Sequence, residues 1–172
     1  NYFDMEYVAG KSFDEFFSIA SVNDIEFVVS TLFDYFDTLI FTARNIDATK
    51  QILDKLDSLK EKSSYPKYIE FLRKYVEDRR IIVPHTFCHG DLTFANIIFH
   101  QNRLFFIDFL DCYVDTFLSD LVKLKQDLHH LWAVRNQDVY TNRIHQIYEY
   151  IWDKLEVRYA DYLTESFHIL DV

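Results

Sequence analysis

The sequence contains few of the residues that interrupt helices. Its 172 residues include two glycines and two prolines, so few positions favour a tight turn or the end of a helix. Apolar residues make up 49% and charged residues 27%, a balance that is ordinary for globular proteins and argues against intrinsic disorder. The length suits one domain with a buried core. We therefore predict one mainly helical domain.

Basic residues are also fewer than acidic ones. Eighteen Lys and Arg oppose 28 Asp and Glu, which gives a formal net charge of −10. Nucleic acids and anionic membranes bind clustered basic residues, so we expect neither as a main partner. A cationic or neutral small molecule fits this charge better.

Long apolar runs are absent from the sequence. No run approaches the roughly 18 residues that a membrane-spanning helix needs, and the first residues, NYFDMEYVAG, lack the basic and apolar segments of a signal peptide. We expect a soluble, cytoplasmic protein. Because the chain begins with Asn1 instead of Met, we also expect further sequence upstream of it.

Cysteine is scarce as well. Cys88 and Cys112 are too few for a disulfide framework, and their separation is unlike the paired spacing of zinc ligands. We predict two buried thiols without a chemical role.

Apolar residues recur at helical spacing along most of the chain. Ser12 followed by Glu15 has the pattern of a capping box before a first helix. Spacings of three and four residues predict a long helix from Asn23 to about Arg44. Further helices are predicted at about 48–60 and 66–78, and from Asp115 onwards, where the last long segment runs from about Asp138 to Tyr159.

Two short apolar runs, NIIF and RLFFIDF, interrupt this helical pattern. The polar residues His100, Gln101 and Asn102 separate the two runs, which together predict a β-hairpin at about 96–108. Both runs are nearly continuously apolar, so we expect both faces of the hairpin to be covered. The predicted fold class is α+β, mainly helical, with a small embedded hairpin.

Polar residues with oxygen atoms lie at the ends of this predicted hairpin. Asp91 and Asn96 precede its first strand and Asp108 ends its second, so the hairpin can bring the three side chains together. Taken singly, each could be a turn or cap residue. Together they offer the hard oxygen ligands that suit Mg²⁺ and not Zn²⁺. Mg²⁺ beside a further carboxylate is what phosphoryl transfer requires.

The segments HGDLTFAN and FIDF resemble the catalytic loop and metal-binding segment of the aminoglycoside phosphotransferase and choline kinase superfamily. These small-molecule kinases are relatives of protein kinases, whose pattern is H-R-D-x-x-x-x-N followed by D-F-G. The resemblance implies that Asp91 orients the acceptor hydroxyl, that Asn96 and Asp108 hold Mg²⁺, and that the nucleotide is ATP or GTP. It also implies loop-supporting roles for His89 and for Asp120 in FLSDLVKL.

The resemblance extends to two further segments. Gly90 stands where protein kinases carry Arg, which allows a sharp turn without a Cβ clash. The segment MEYVAGKSF resembles the hinge between the two lobes of such kinases, so the backbone of Glu6, Tyr7 and Val8 would meet adenine. Residues 1–11 would then be the hinge strand and linker, and residues 12–172 the helical C-terminal lobe. The N-terminal lobe would lie outside this chain, which alone should be weakly active or inactive.

Three hypotheses for function follow. The leading one is an ATP- and Mg²⁺-dependent phosphotransferase acting on a hydroxyl of an aminoglycoside, amino alcohol or sugar. The second is a non-catalytic, pseudokinase-like binding module. The third is a metal-dependent phosphohydrolase that uses His89 with the aspartates. Asp111 and Asp115, just past the metal-binding segment, favour a cationic acceptor.

Overall fold

The structure is a computed structural model that describes residues 7–133 and 142–171. Within these ranges the chain forms seven α-helices and two small antiparallel sheets, in agreement with a mainly helical α+β fold. None of the described helices is long and apolar enough to cross a membrane. In chain order the elements are α1 (Phe13–Ile19), α2 (Val22–Phe41), β1 (Arg44–Asp47), α3 (Thr49–Lys60), α4 (Pro66–Glu77), β2 (Ile82–His85), β3 (Ile97–His100), β4 (Arg103–Phe106), α5 (Phe117–His130), α6 (Asn142–Arg158) and α7 (Glu165–Leu170).

The first two helices begin at capping residues that the sequence makes recognisable. The backbone N–H of Ser12 donates to Glu15 Oε2 at 3.3 Å, and that of Ser21 donates to Asp24 Oδ2 at 2.7 Å. The Ser21 hydroxyl accepts from the Asp24 backbone N–H, which completes a capping box. The buried face of α2 consists of Val28, Val29, Leu32 and Phe36. These local signals therefore determine where the two helices start and which side of α2 faces the core.

The long second helix is shorter than the sequence predicts. It ends at Phe41 instead of about Arg44, because Arg44–Asp47 forms strand β1. This strand pairs antiparallel with β2, with Arg44 opposite His85 and Asp47 opposite Ile82. Helices α3 and α4 connect the two strands and lie within about two residues of their predicted bounds. The sequence did not reveal this sheet, since β1 is mostly exposed and β2 contains a proline.

The structure contains the β3–β4 hairpin that the sequence predicts. Its two-residue turn is Gln101 and Asn102, and both have positive φ (47° and 55°), as a type I′ turn requires. Only one face of β3 is buried, and no residue of β4 is fully buried, so the prediction that both faces are covered is wrong. Lys11 exchanges two backbone hydrogen bonds with Phe99.

The core joins α1, α2, α5 and α6 beneath the hairpin. Phe94, which lies just before β3, stacks on Tyr148 of α6 at 5.4 Å and meets the edge of Phe17 at 5.1 Å. All three rings are inaccessible to solvent, and burying each of the two phenylalanine side chains stabilises the fold by roughly 1.5–3 kcal/mol. The chain before the hairpin is thereby anchored to the helices. Helix α6 is described from Asn142, and the predicted start at Asp138 lies outside the described residues.

Candidate active site

The segment between β2 and β3 forms a loop whose backbone is held by the protein interior. Residues 86–93 have no regular secondary structure, and a single 3₁₀ turn follows at Phe94–Asn96. Leu92 and Phe94 are fully buried, whereas Asp91 and Asn96 are only half-buried. The buried apolar side chains anchor the loop, and Asp91 and Asn96 stay partly accessible to solvent. We call residues 88–96 the catalytic loop, after the segment that they resemble; a role in catalysis is a prediction.

Gly90 allows the catalytic loop to approach the segment that follows β4. Its φ is +87°, which side chains with a Cβ rarely adopt, and a Cβ built on it would lie 2.2 Å from the carbonyl oxygen of Leu110. The backbone N–H of Leu110 donates to the carbonyl oxygen of His89 at 2.8 Å. The loop and the residues just past Asp108 are therefore in direct backbone contact.

We expect Gly90→Ala to lower the free energy of unfolding by about 2 kcal/mol or more. The left-handed conformation alone costs an alanine about 1–2 kcal/mol, and the clash with the Leu110 carbonyl adds to this. Urea denaturation of the full-length protein measures the change. Ala95→Ser, an exposed substitution in the same loop, is the control. A loss within about 0.5 kcal/mol for Gly90→Ala, the usual scale of surface substitutions, would contradict the geometry.

Asp120, near the start of α5, supports the catalytic loop from behind. Its carboxylate is inaccessible to solvent and accepts hydrogen bonds from the backbone N–H groups of His89 (2.8 Å) and Gly90 (2.9 Å) and from the Tyr35 hydroxyl (2.7 Å). Burial raises the pKa of Asp120, and these hydrogen bonds oppose that rise. The structure thus brings Asp120 together with His89 and Gly90.

Asp127 supports the next part of the loop in the same way, and the sequence analysis missed it. It is fully buried and accepts hydrogen bonds from the backbone N–H groups of Phe94 (2.7 Å) and Ala133 (2.8 Å). Burial raises its pKa. Asp127 follows Asp120 by seven residues, two helical turns, so both lie on one face of α5. An aspartate within the apolar stripe of a helix was the signal that could have identified it.

We expect Asp120→Asn to destabilise the protein by about 2–3 kcal/mol. The buried backbone N–H groups of His89 and Gly90 donate to different carboxylate oxygens, and the asparagine NH₂ group, which cannot accept, replaces one of these oxygens. Tyr35→Phe removes a single hydrogen bond to the same carboxylate and should cost about 1 kcal/mol. Chemical denaturation of both variants checks the difference. Equal losses would show that the backbone contacts of Asp120 do not stabilise the loop.

Asp91 and Asn96 are in direct contact within the loop. Asn96 Nδ2 donates to the Asp91 backbone carbonyl at 2.8 Å and to Asp91 Oδ2 at 3.1 Å. Lys123 of α5, which the sequence analysis did not identify, places its Nζ 4.0 Å from Asp91 Oδ1. The Asp91 carboxylate is therefore held between an amide and an ammonium group while 37% of its side chain stays exposed.

The hairpin brings Asp108 back beside Asn96. The backbone N–H of Ile107 donates to the carbonyl oxygen of Asn96 at 3.0 Å, so Asp108 directly follows the residue paired with Asn96. Asp108 has a φ of +59°, a conformation that aspartate tolerates better than most residues, and its side chain is exposed. The topology thus brings Asp91, Asn96 and Asp108 to one end of the hairpin.

His89 packs between the catalytic loop and the segment after Asp108. Its ring lies 4.2 Å from that of Phe109, and its Nδ1 accepts a hydrogen bond from the Asp91 backbone N–H at 3.3 Å. Since Nδ1 is an acceptor, the proton of the neutral ring is on Nε2, which is buried and has no hydrogen-bond partner among the described residues. His89 is enclosed by the fold, as a structural histidine would be.

The oxygen atoms at this end of the hairpin fit a hard divalent cation. Both hydrogen bonds of the Asn96 amide use its nitrogen, which leaves Oδ1 as a ligand atom, and Asp108 contributes an exposed carboxylate. Mg²⁺ typically uses one or two such protein ligands and completes its shell with water and substrate phosphates. Asn96 and Asp108 are therefore the residues that could hold it.

The predicted hinge residues are not joined to this site by hydrogen bonds in the part of the chain that the structure describes. Glu6 lies outside the described residues. Tyr7 is 88% exposed, and the Val8 carbonyl accepts from the Gly10 N–H in a local turn. The nucleotide-binding role of this segment remains a prediction.

The two cysteines are not free thiols, so that prediction was wrong. Cys88 and Cys112 form a disulfide across 24 residues of sequence. One cysteine immediately precedes His89 and the other follows the segment after Asp108, so the hairpin that returns Asp108 to the catalytic loop also returns Cys112. A separation in sequence does not reveal this proximity, because it arises from the tertiary fold.

Comparison with known proteins gives a match to one family model. A family model described as the phosphotransferase enzyme family matches residues 29–158, which is more than half of the chain. The matched region includes Asp91, Asn96, Asp108 and Asp120. No curated protein and no solved structure shows a significant match to the chain. The family match is consistent with the superfamily that HGDLTFAN and FIDF resemble.

Proposed function

The chain belongs to the phosphotransferase enzyme family, and we propose that it is the catalytic C-terminal lobe of a kinase for a small molecule. The reaction is the transfer of the γ-phosphoryl group of ATP, or of GTP, to a hydroxyl group. The observation that carries the proposal is the contact of Asn96 with both the carboxylate and the carbonyl of Asp91, beside the strand end that bears Asp108. It supports an acceptor-orienting role for Asp91 beside Asn96 and Asp108, the two residues that we propose as cation ligands.

Asp91 is the residue that acts on the acceptor. Its partly exposed carboxylate accepts the proton of the acceptor hydroxyl as the hydroxyl oxygen forms its bond to the γ-phosphorus and the bond from that phosphorus to the bridging oxygen of the diphosphate breaks. Asn96 fixes one carboxylate oxygen through its amide, which limits rotation of the side chain. The other oxygen, near Lys123, remains available for the acceptor.

Asn96 and Asp108 are the proposed ligands of Mg²⁺ with the nucleotide. When bound, Mg²⁺ neutralises charge on the nucleotide phosphates. The contribution of the chain is to hold the two side chains in register: the Ile107–Asn96 backbone hydrogen bond joins the strand ends, and Gly90 admits the close approach of the segment after Asp108.

Asp120 acts through the backbone of the catalytic loop and not on the substrate. By accepting from His89 and Gly90, its buried carboxylate fixes the two residues that precede Asp91. Such preorganisation matters because a reacting group displaced by about 1 Å can cost about 10²-fold in rate. The proposed hinge, formed by the backbone of residues 6–8, would bind adenine between this lobe and an N-terminal lobe.

Transfer of label from γ-labelled ATP to an acceptor tests the proposal. The full-length protein is incubated with Mg²⁺ and with aminoglycosides, amino alcohols or sugars, and product and nucleotide are separated and counted. We expect a labelled product that depends on Mg²⁺ and acceptor. Nucleotide binding without transfer would instead identify a binding module, and release of phosphate from a phosphorylated compound without nucleotide would identify a phosphohydrolase.

A further inference from the structure

A cavity of about 550 Å³ opens beside the catalytic loop on the side of α3 and α5. Gly90, the residue before Asp91, lines it, as does Lys123, whose ammonium group lies 4.0 Å from the Asp91 carboxylate. Leu59, Val122 and Leu170 provide apolar wall. A small molecule in this cavity could extend a hydroxyl towards Asp91.

The charged side chains that line this cavity are mainly basic. Lys55 of α3 and Lys123 of α5 oppose one carboxylate, that of the exposed residue Asp111. With Asp91 counted, which lies 4.0 Å from Lys123, two carboxylates face the two lysines, so anion binding depends on how each lysine is paired.

The two lysines differ in their surroundings. Lys123 already faces Asp91, so part of its charge is compensated. Lys55 forms no ion pair with any described residue, and its Nζ lies 5.3 Å from the centre of the Tyr113 ring. An ammonium group that lines a cavity and lacks a carboxylate partner is suited to bind an anion from solution.

We propose that this cavity binds the acceptor and that the acceptor carries an anionic group, a carboxylate or a phosphate, which binds to Lys55. This inference rests on the proposed function, since it assigns the molecule whose hydroxyl Asp91 would orient. Lys123 lines the same cavity and lies 4.0 Å from Asp91, so an acceptor bound there would lie near Asp91. The sequence-based expectation of a cationic acceptor rested on net charge and on Asp111 and Asp115. Of these two aspartates Asp111 lines the cavity, where Lys55 and Lys123 oppose it.

Four small hydroxyl compounds of different charge test the inference. Choline, glycerol, glycerate and glycerol 3-phosphate are titrated into the full-length protein by calorimetry, with Mg²⁺ and ADP present to occupy the nucleotide site. We expect glycerate or glycerol 3-phosphate to bind and choline and glycerol not to bind; which of the two anions binds more tightly separates a carboxylate site from a phosphate site.

The matched variants are Lys55→Met and Lys50→Met, which remove the same charge from the same helix. Lys50 is exposed and does not line the cavity. Lys55→Met should weaken binding of the anion by about tenfold or more, the scale of one charge-assisted hydrogen bond, and Lys50→Met should leave it unchanged. Equal melting temperatures of the variants confirm that both are folded.

Two outcomes separate this inference from the proposed function. Phosphorylation of choline or glycerol with an unchanged KM in Lys55→Met would overturn the inference and leave the kinase intact. Anion binding that depends on Lys55 without phosphoryl transfer would support the anion site and contradict the kinase. Failure of both anions to bind would overturn the inference.

Discussion

Replacing Asp91 with asparagine should lower the turnover number by about 10²-fold or more, the usual scale for losing a positioned base. Affinity for Mg²⁺–ATP should stay within about threefold, because Asp91 is assigned no nucleotide contact. The asparagine oxygen can still accept the hydrogen bond from Asn96 Nδ2, so the loop keeps its internal contact. Steady-state kinetics and nucleotide titration of the full-length protein measure the two quantities.

The Asp91 prediction has one control variant and two results that would contradict it. Asp78→Asn, at the exposed residue that follows α4, removes the same charge outside the loop and should leave kinetics unchanged. Parallel loss of turnover and nucleotide affinity in Asp91→Asn would place Asp91 among the metal ligands. Normal turnover would mean that the catalytic loop is only a structural turn.

Replacing Asp108 should abolish binding of Mg²⁺–nucleotide. We expect affinity to fall by more than about 100-fold, beyond the 10–100-fold cost of removing an outer-shell partner of a metal. Wild-type protein should bind Mg²⁺ weakly without nucleotide, since Mg²⁺ relies on phosphate oxygens to complete its shell. Titration with a fluorescent nucleotide analogue, with and without Mg²⁺, measures both effects.

Two substitutions at Asp108 separate the effect of its charge from the effect of its backbone conformation. Asp108 has positive φ, which asparagine tolerates and alanine does not, so Asp108→Ala should also lose about 1 kcal/mol of stability. Asp108→Asn removes the charge without that cost and should lose the Mg²⁺-dependent binding equally. Asp115→Asn, an exposed change in the same connection, is the control. Unchanged affinity in Asp108→Asn would exclude Asp108 as a metal ligand.

Features that depend on local signals could be predicted from the sequence. The capping residues Ser12 and Glu15 and the apolar stripe of α2 reflect interactions within one or two helical turns. The hairpin follows from two apolar runs around a polar turn, and its geometry explains why Asn96 and Asp108 lie at the same end. The roles of these residues come from a resemblance and remain predictions.

Features that depend on long-range contacts could not be predicted. Strand β1 has no apolar pattern and exists because β2 pairs with it across the α3 and α4 helices. The Cys88–Cys112 bond likewise requires the hairpin and the loop to be assembled first. Asp127 is recognisable in the sequence only as an aspartate within the apolar stripe of α5, and its backbone partners in the structure show that it supports the loop.

The dependence of the catalytic loop on α5 has a consequence for how the protein folds during synthesis. His89, Gly90 and Phe94 donate their amides to carboxylates 30–33 residues later in the chain. On the ribosome this loop therefore emerges before the groups that shape it, and it cannot adopt its final conformation until α5 has left the exit tunnel. The hydrogen bonds between β3 and β4 join residues that are close in sequence. The hairpin can therefore form earlier, because contacts between residues close in sequence form faster than contacts between distant ones. Nucleotide binding should appear late in refolding, together with the docking of α5.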